Sequence, residues 1–154
     1  RLELVGSFND DATEARARAM PGWKHVTYHG WVGRDKVVAA LKRSLVGIVV
    51  LRPHLNYIDA LPVKMFEYMG GGVPVIASDF PMWRSIVAEA DCGILVDPLD
   101  PRDLAAAIDE IHEEKDRAAE MGQNGSKAVL AKYNWGAEEV KLIKFYREML
   151  VKSD

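Results

Sequence analysis

Short apolar runs alternate with longer polar segments along most of the chain. Residues 2–5 form an apolar run closed by Gly6, which predicts a buried strand of a parallel sheet. Residues 10–20 are polar and alanine-rich, with Asp10 or Asp11 placed as N-cap and Pro21-Gly22 as the stop, which predicts a helix. Residues 25–29 alternate in the manner of a strand and end at Gly30. Gly30, Trp31, Val32 and Gly33 then turn into a helix over 34–43, with Val37, Val38 and Leu41 expected on its inner face. The run 46–51 is the most uniformly apolar and reads as a strand at the centre of the sheet, ended by Arg52-Pro53-His54.

The stretch 56–87 reads as a loop, a short helix beginning near Pro62, a triple-glycine turn at Gly70 to Gly72, a buried strand over 74–77 and a second helix opened by Pro81. Residues 92–96 give one more strand. Asp100 followed by Pro101 and Asp103 is a strong helix start. Helical patterns then fill 103–112, 116–133 and 137–151, with Asn134 capping the last and Gly122 to Gly125 expected to interrupt the middle one. Strict alternation of strand and helix implies an α/β fold: a parallel sheet with right-handed crossovers, helices on both faces, and a ligand crevice outside the carboxyl ends of the strands. The loops at 6–9, 30–33, 52–62, 78–81 and 97–100 all belong to that side.

Composition narrows the function classes. A chain of 154 residues suits one domain with a substantial core. A net charge of -3 and a pI near 5.8 argue against a general nucleic-acid surface. No run approaches the roughly twenty apolar residues that span a bilayer, and the first residues do not read as a signal peptide, so a cytoplasmic location is expected. The single cysteine, Cys92, has no partner for an internal disulfide and sits in an apolar run, as a core residue rather than a nucleophile. His25, His29, His54 and His112 lack metal-ligand spacing, so no metal is expected. Ser78-Asp79 has no histidine placed to make a hydrolytic triad and reads as loop and cap chemistry. The last helix sets Lys141, Lys144, Arg147 and Lys152 around Leu142, Phe145, Tyr146 and Met149, a basic amphipathic pattern that suits either an anionic membrane surface or packing against protein.

The candidate chemistry lies at Asp59 and Glu67, eight positions apart, the first in the approach to a helix and the second about one turn inside it. A helix N-terminus presents free N–H groups and partial positive charge, which suits a phosphate or pyrophosphate. Carboxylates beside it accept hydrogen bonds from ribose or sugar hydroxyls. The expected ligand is therefore a nucleotide carrying a sugar. Each residue also has a plainer explanation. Glu67 and Lys64, three apart, would form a solvated ion pair contributing about 0.2–0.5 kcal/mol; Asp59 would be a turn acid before Pro62; Lys64 would be an idle surface lysine; and Gly30 to Gly33 would be an ordinary turn with a half-buried tryptophan.

Glu67, Tyr68, Met69, Gly72, Pro74, Val75, Ile76 and Ala77 carry a resemblance. They are similar to the nucleotide-sugar site of group-one (family four) retaining glycosyltransferases of the GT-B fold: an acid, seven residues, a second acid, a small-residue turn, then a Pro-Val-Ile-Ala strand. Two features depart from the pattern. Asp59 stands where the family usually has its first Glu, and Ala60-Leu61-Pro62 replaces the Gly-rich loop after it. The resemblance implies a Rossmann-like donor domain, the C-terminal half of the fold. In it Glu67 binds the ribose hydroxyls, Asp59 contacts the transferred sugar, and Ala60, Leu61 and Val63 offer backbone N–H groups to the phosphates. Lys64 supplies a phosphate cation. Gly30 floors the nucleobase pocket, with Trp31 or Val32 against the ring.

The resemblance covers nearly the whole chain, including Lys132-Tyr133-Asn134-Trp135. It further implies that the chain starts at the domain's second strand, without the first strand whose Arg and Lys grip the pyrophosphate. The acceptor-binding half would lie outside residues 1–154, with the helix 134–154 packing toward it. The expected function is donor binding in a sugar transferase that retains configuration, with a nucleoside-diphosphate sugar as substrate, no cofactor and no metal. Two rivals stand beside it: a noncatalytic nucleotide-binding scaffold, and a nucleotide-sugar epimerase, which the spacing of Asp59 and Glu67 disfavours.

Overall fold

The computed structural model describes residues 1–151, and the chain divides into two compact units, Arg1–Ser44 and Leu45–Asp154. In the first unit, β1 (Leu2–Val5) and β2 (Val26–Gly30) pair in parallel, with Leu2 opposite Val26 and Leu4 opposite Tyr28. Between them runs α1 (Asp11–Arg18), whose N-cap is Asp10: its carboxylate accepts from the Thr13 N–H at 2.7 Å and from the Thr13 hydroxyl at 2.8 Å. A 3-10 turn over Pro21–His25 leads into β2. Phe8, Trp23 and Tyr28 cluster with their rings tilted against one another, and the Arg18 guanidinium lies 5.1 Å from the Trp23 ring centroid. Helix α2 (Arg34–Leu41) follows. Its buried residue is Ala40, with Val37 and Leu41 half-buried, while Val38 is exposed rather than inward as its apolarity suggested. The inner stripe follows the helical repeat 37, 40, 41, and Val38 lies one step, about 100°, off it.

The second unit holds a three-stranded parallel sheet ordered β3-β4-β5, built from β3 (Gly47–Val49), β4 (Val75–Ser78) and β5 (Gly93–Val96). The centre is β4, all four of whose residues are buried. The run 46–51 contributes an edge strand of this sheet, not its centre; its uniform apolarity reflects covering on both faces rather than two strand neighbours. Val49, Val75 and Ala77 face one way, against Met65 and Met69 of α4 (Val63–Gly70) and Trp83, Ile86 and Val87 of α5 (Pro81–Ala90). Ile76 and Val96 face the other way, against Ala107 and Ile111 of α6 (Pro101–Glu113) and Ala118 and Met121 of α7 (Lys115–Ala131). The period-two alternation of β4 thus sorts its side chains into two cores. Asp100 caps α6 by accepting from the Arg102 N–H at 2.8 Å, with Pro101 at its first position, as the sequence indicated.

Helix α7 runs unbroken through Gly122 and Gly125, so the expected interruption does not occur. Those glycines are contact points: a Cβ on Gly122 would lie 2.2 Å from the Gly72 carbonyl oxygen, and one on Gly125 3.3 Å from Met69 Cα. Asn134 accepts from the Ala137 N–H at 3.0 Å and so caps the last helix, α8 (Trp135–Val151), as expected. Lys152 lies outside the described residues. The first unit has Ala40 as its one buried hydrophobic residue, against a double core in the second. Local opening tracks buried apolar contact. In hydrogen exchange monitored by mass spectrometry, β1 and β2 are therefore expected to exchange at least about tenfold faster than β4 and β5; equal protection in the two sheets would contradict this.

Candidate functional site

Because β3, β4 and β5 are parallel, the segments leaving Val49, Ser78 and Val96 emerge at one edge of the sheet. The segment from Leu51 to Pro62 starts there and is tied at several points. The Leu51 N–H donates to Ser78 Oγ at 2.8 Å, and that hydroxyl donates back to the Leu51 carbonyl at 2.9 Å. His54 Nδ1 accepts from the Asn56 N–H at 3.2 Å and caps a single helical turn, α3 (Leu55–Ile58), within what the sequence suggested was all loop. Asp59 closes that turn, exposed. The Trp83 indole N–H then donates to the Ala60 carbonyl at 2.6 Å. Pro62, with φ -75, stands before α4 and adds no side-chain cap, leaving the first turn of α4 without a side-chain acceptor.

Helical periodicity decides what α4 shows to solvent. Met65 and Met69 are fully buried, Phe66 packs beside them, and Val63, Lys64 and Glu67 fall on the exposed side. Lys64 and Glu67 form no ion pair or side-chain hydrogen bond among the described residues, so the solvated pair is not what holds them. Asp59 likewise has no such partner there. The Tyr68 hydroxyl is pushed up, first by burial and then by the neighbouring Glu67 carboxylate. Helix α4 ends in a Schellman motif: Gly72 takes φ 71, its N–H donates to the Met69 carbonyl at 3.0 Å, and the Val73 N–H donates to the Tyr68 carbonyl at 3.0 Å. Of the three glycines, Gly72 supplies the left-handed helix end that the sequence suggested, while Gly71 keeps an ordinary φ of -78.

Asp59, Leu61, Val63, Lys64 and Glu67 therefore occupy one short stretch at the carboxyl edge of the sheet. One expected donor drops out. The Ala60 N–H already donates to the Tyr57 carbonyl at 3.3 Å, because the α3 turn uses it. The cation at 84 is also committed: Arg84 grips Asp79 through two hydrogen bonds of 2.6 Å, which hold the Asp79 carboxyl below the usual range. Arg52 is exposed and has no ion pair among the described residues. Sequence reasoning gave Arg52 only the end of a strand, did not single out Trp83, and read Ser78 as loop and cap chemistry, whereas Ser78 is a fully buried residue of β4. Only the fact that a buried indole N–H and a buried hydroxyl need partners would have pointed to the last two.

In the first unit, Gly30 takes φ 64 and Trp31 is 83% exposed, so the half-buried tryptophan of an ordinary turn is not what this segment contains. Val32 lines a cavity of about 230 Å³ together with Val5, His29, Lys36, Ala39, Ala40 and Arg43. His29 Nε2 lies 2.5 Å from Glu3 Oε2, and Arg43 Nη2 lies 3.6 Å from the same oxygen. The hydrogen bond to His29 is the main cause that lowers the Glu3 carboxyl, with Arg43 and Arg1 adding to it.

Cys92 is buried and its thiol is pushed up to about 11 by desolvation, which suits a core residue and not a nucleophile. Among the described residues no three His, Cys, Asp or Glu side chains converge in a way that could hold a metal ion. No described helix is long and apolar enough to cross a membrane. Helix α8 leaves Trp135, Leu142, Phe145 and Tyr146 exposed.

A family profile described as "Glycosyl transferases group 1" matches residues 1–128. Among curated proteins, the chain is 30% identical over 144 residues to a phosphatidyl-myo-inositol mannosyltransferase of Mycolicibacterium smegmatis, covering 93% of this chain and 35% of that protein. It is 34% identical over 92 residues to a D-inositol 3-phosphate glycosyltransferase of Thermobispora bispora, covering 60% of this chain and 21% of that one. The chain thus spans about a third or less of the length of these relatives. Among solved structures, sucrose-phosphate synthase from Thermosynechococcus elongatus superposes with a TM-score of 0.80 at 28% identity, over 98% of this chain and 39% of the other. WaaG, a glycosyltransferase involved in lipopolysaccharide biosynthesis, gives a TM-score of 0.65 at 18% identity over 85% of this chain and 34% of that one, and shares the fold. The parallel α/β architecture, the match across residues 1–128 and the relatives agree: this chain belongs to the group 1 glycosyltransferases.

Proposed function

We propose that this chain provides the nucleotide-sugar donor site of a transferase that retains anomeric configuration. The observation that carries the reading is the pairing state of α4. Glu67 and Lys64 stand exposed and without an ion-pair partner among the described residues, at the end of the sheet where parallel α/β folds take ligands. Glu67 accepts hydrogen bonds from the ribose hydroxyls. The Leu61 and Val63 N–H groups and the Lys64 ammonium neutralise the diphosphate as its bond to the anomeric carbon breaks, a charge best stabilised by donors already in position. Asp59 turns toward the transferred sugar with a side chain one methylene shorter than the glutamate the family pattern has there. In the first unit, taken by itself, the exposed Trp31 ring of the Gly30 to Val32 turn is suited to stack on a planar base. No metal is required, since cationic and N–H groups take the charge.

The acceptor is assigned to a second, acceptor-binding half, and α8, with Leu142, Phe145 and Tyr146 outward, to the contact with it. The names of the relatives put inositol-bearing acceptors, including phosphatidylinositol, at the head of those to assay, with GDP-mannose first among donors. A lipid acceptor would place the reaction at the cytoplasmic face of a membrane.

Calorimetric titration with UDP, GDP and ADP tests the donor site, and product analysis tests the reaction. Weak binding of one diphosphate, without sugar transfer, is expected from residues 1–154 alone. Transfer by this chain by itself would overturn the division of labour, and an epimerised donor would overturn the reaction class. Failure to bind any of the three would favour the noncatalytic scaffold, the reading that the shorter Asp59 leaves open.

A further inference from the structure

Two fully buried side chains, the Ser78 hydroxyl and the indole of the core residue Trp83, hold the segment that carries the candidate site. Ser78 is completely inaccessible, at the carboxyl end of the central strand, and its hydroxyl accepts from the Leu51 N–H at 2.8 Å and donates to the carbonyl of the same residue at 2.9 Å. Trp83 is also completely inaccessible, on the first turn of α5, and its indole N–H reaches the Ala60 carbonyl at 2.6 Å. These contacts fall at the two ends of the segment running from Leu51 to Pro62. Between them most residues are exposed, including Leu55 at 84%, so little packing holds the segment in place. Alanine at 78 removes little more than the hydroxyl, while phenylalanine at 83 removes the indole N–H and also some core volume, so the two variants share the loss of a polar contact and differ in packing. Resting on the donor-site reading above, we infer that Ser78 and Trp83 are positioning residues: a two-point clamp that fixes the 51–62 segment so that the Leu61 and Val63 N–H groups and Asp59 meet the diphosphate and sugar without prior ordering. A preformed segment spares the ligand the conformational entropy of ordering it, which is why loss of the clamp shows in affinity.

The test compares binding of a nucleoside with binding of its diphosphate, guanosine against GDP and uridine against UDP, in the wild-type chain, Trp83→Phe and Ser78→Ala. A clamp acting on the 51–62 segment controls the diphosphate increment, the ratio of the two dissociation constants. A role in general stability would move the unfolding midpoint without changing that ratio. The increment is expected to fall about three- to tenfold in each folded variant, the size of one or two neutral hydrogen bonds, with nucleoside affinity unchanged. Hydrogen exchange of the 52–61 amides is expected to quicken while that of β4 stays slow. If Trp83→Phe does not fold, Ser78→Ala carries the test at the other end. A wild-type increment retained in both variants would overturn the clamp alone. A wild-type chain with no preference for diphosphate over nucleoside would overturn the donor site itself, and the clamp with it.

Discussion

Glu67→Gln is expected to weaken binding of the preferred nucleoside diphosphate by about ten- to a hundredfold while leaving thermal stability almost unchanged. The magnitude is that of hydrogen bonds to an ionised group, roughly 1.5–3 kcal/mol, and every 1.4 kcal/mol is about tenfold in affinity. Glutamine keeps the length and shape of the side chain but replaces one accepting oxygen by a donating amide and removes the charge, so it cannot meet two ribose hydroxyls with two charged acceptors as a carboxylate does. Stability is expected to stay within about 0.5 kcal/mol, because the residue is exposed and has no side-chain partner to lose among the described residues. Lys64→Gln separates the roles on the same helix face. It is expected to weaken the diphosphate and leave the nucleoside alone, with an effect that shrinks as salt rises. Calorimetry beside thermal unfolding reads both. A Glu67→Gln chain that binds like wild type would remove Glu67 from the site, and one that binds poorly because it is unfolded would show itself in the melt.

The strands and their parallel sense were legible because each apolar run is short and bounded by Gly, Pro or Asp, and helical patterns separate them. Periodicity names strands but not their neighbours. That is why residues 46–51, apolar on both faces, read as central although β3 pairs in this sheet only with β4. The caps were legible for a similar local reason: Asp10, Asp100 and Asn134 act on N–H groups two or three residues away, a range the sequence displays directly. Interactions across the fold were not. Trp83 and Ala60 are separated by twenty-three positions, and Ser78 and Leu51 by twenty-seven. Nothing local marks them, whereas the motif around Glu67 is local and could be read as it stands. The Ala60 N–H was misassigned for the same reason in miniature: the single turn α3 contains no periodic signal, yet it consumes that donor.

Gly122 shows how far tertiary contact can reverse a local rule, and it carries the largest expected effect on folding. In the interior of an exposed helix, replacing glycine by alanine stabilises by about 0.5–1 kcal/mol, because glycine loses more backbone freedom on folding. Gly122 is interior to α7, but an added Cβ would sit 2.2 Å from the Gly72 carbonyl oxygen and 3.4 Å from Pro74 Cδ. The obstacle is backbone, fixed by the left-handed Gly72 of the Schellman turn and by the entry into fully buried β4, so no side chain can swing aside. Gly122→Ala is therefore expected to destabilise the second unit by about 1–3 kcal/mol, the cost of overpacking a rigid contact. Gly70→Ala supplies the opposite sign: its Cβ meets Val129 Cγ1 at an ordinary 3.7 Å, so helix propensity governs and a small gain is expected. Chemical denaturation of the pair reads both. The Gly122 contact also presses on the turn that ends α4, so the same variant is expected to loosen the helix on which Lys64 and Glu67 stand. Diphosphate affinity then falls with stability, in contrast to Glu67→Gln, where affinity falls alone. A Gly122→Ala chain as stable as wild type would mean that α7 can retreat from the turn, and that the close seating of α7 on this turn is not what fixes the end of α4.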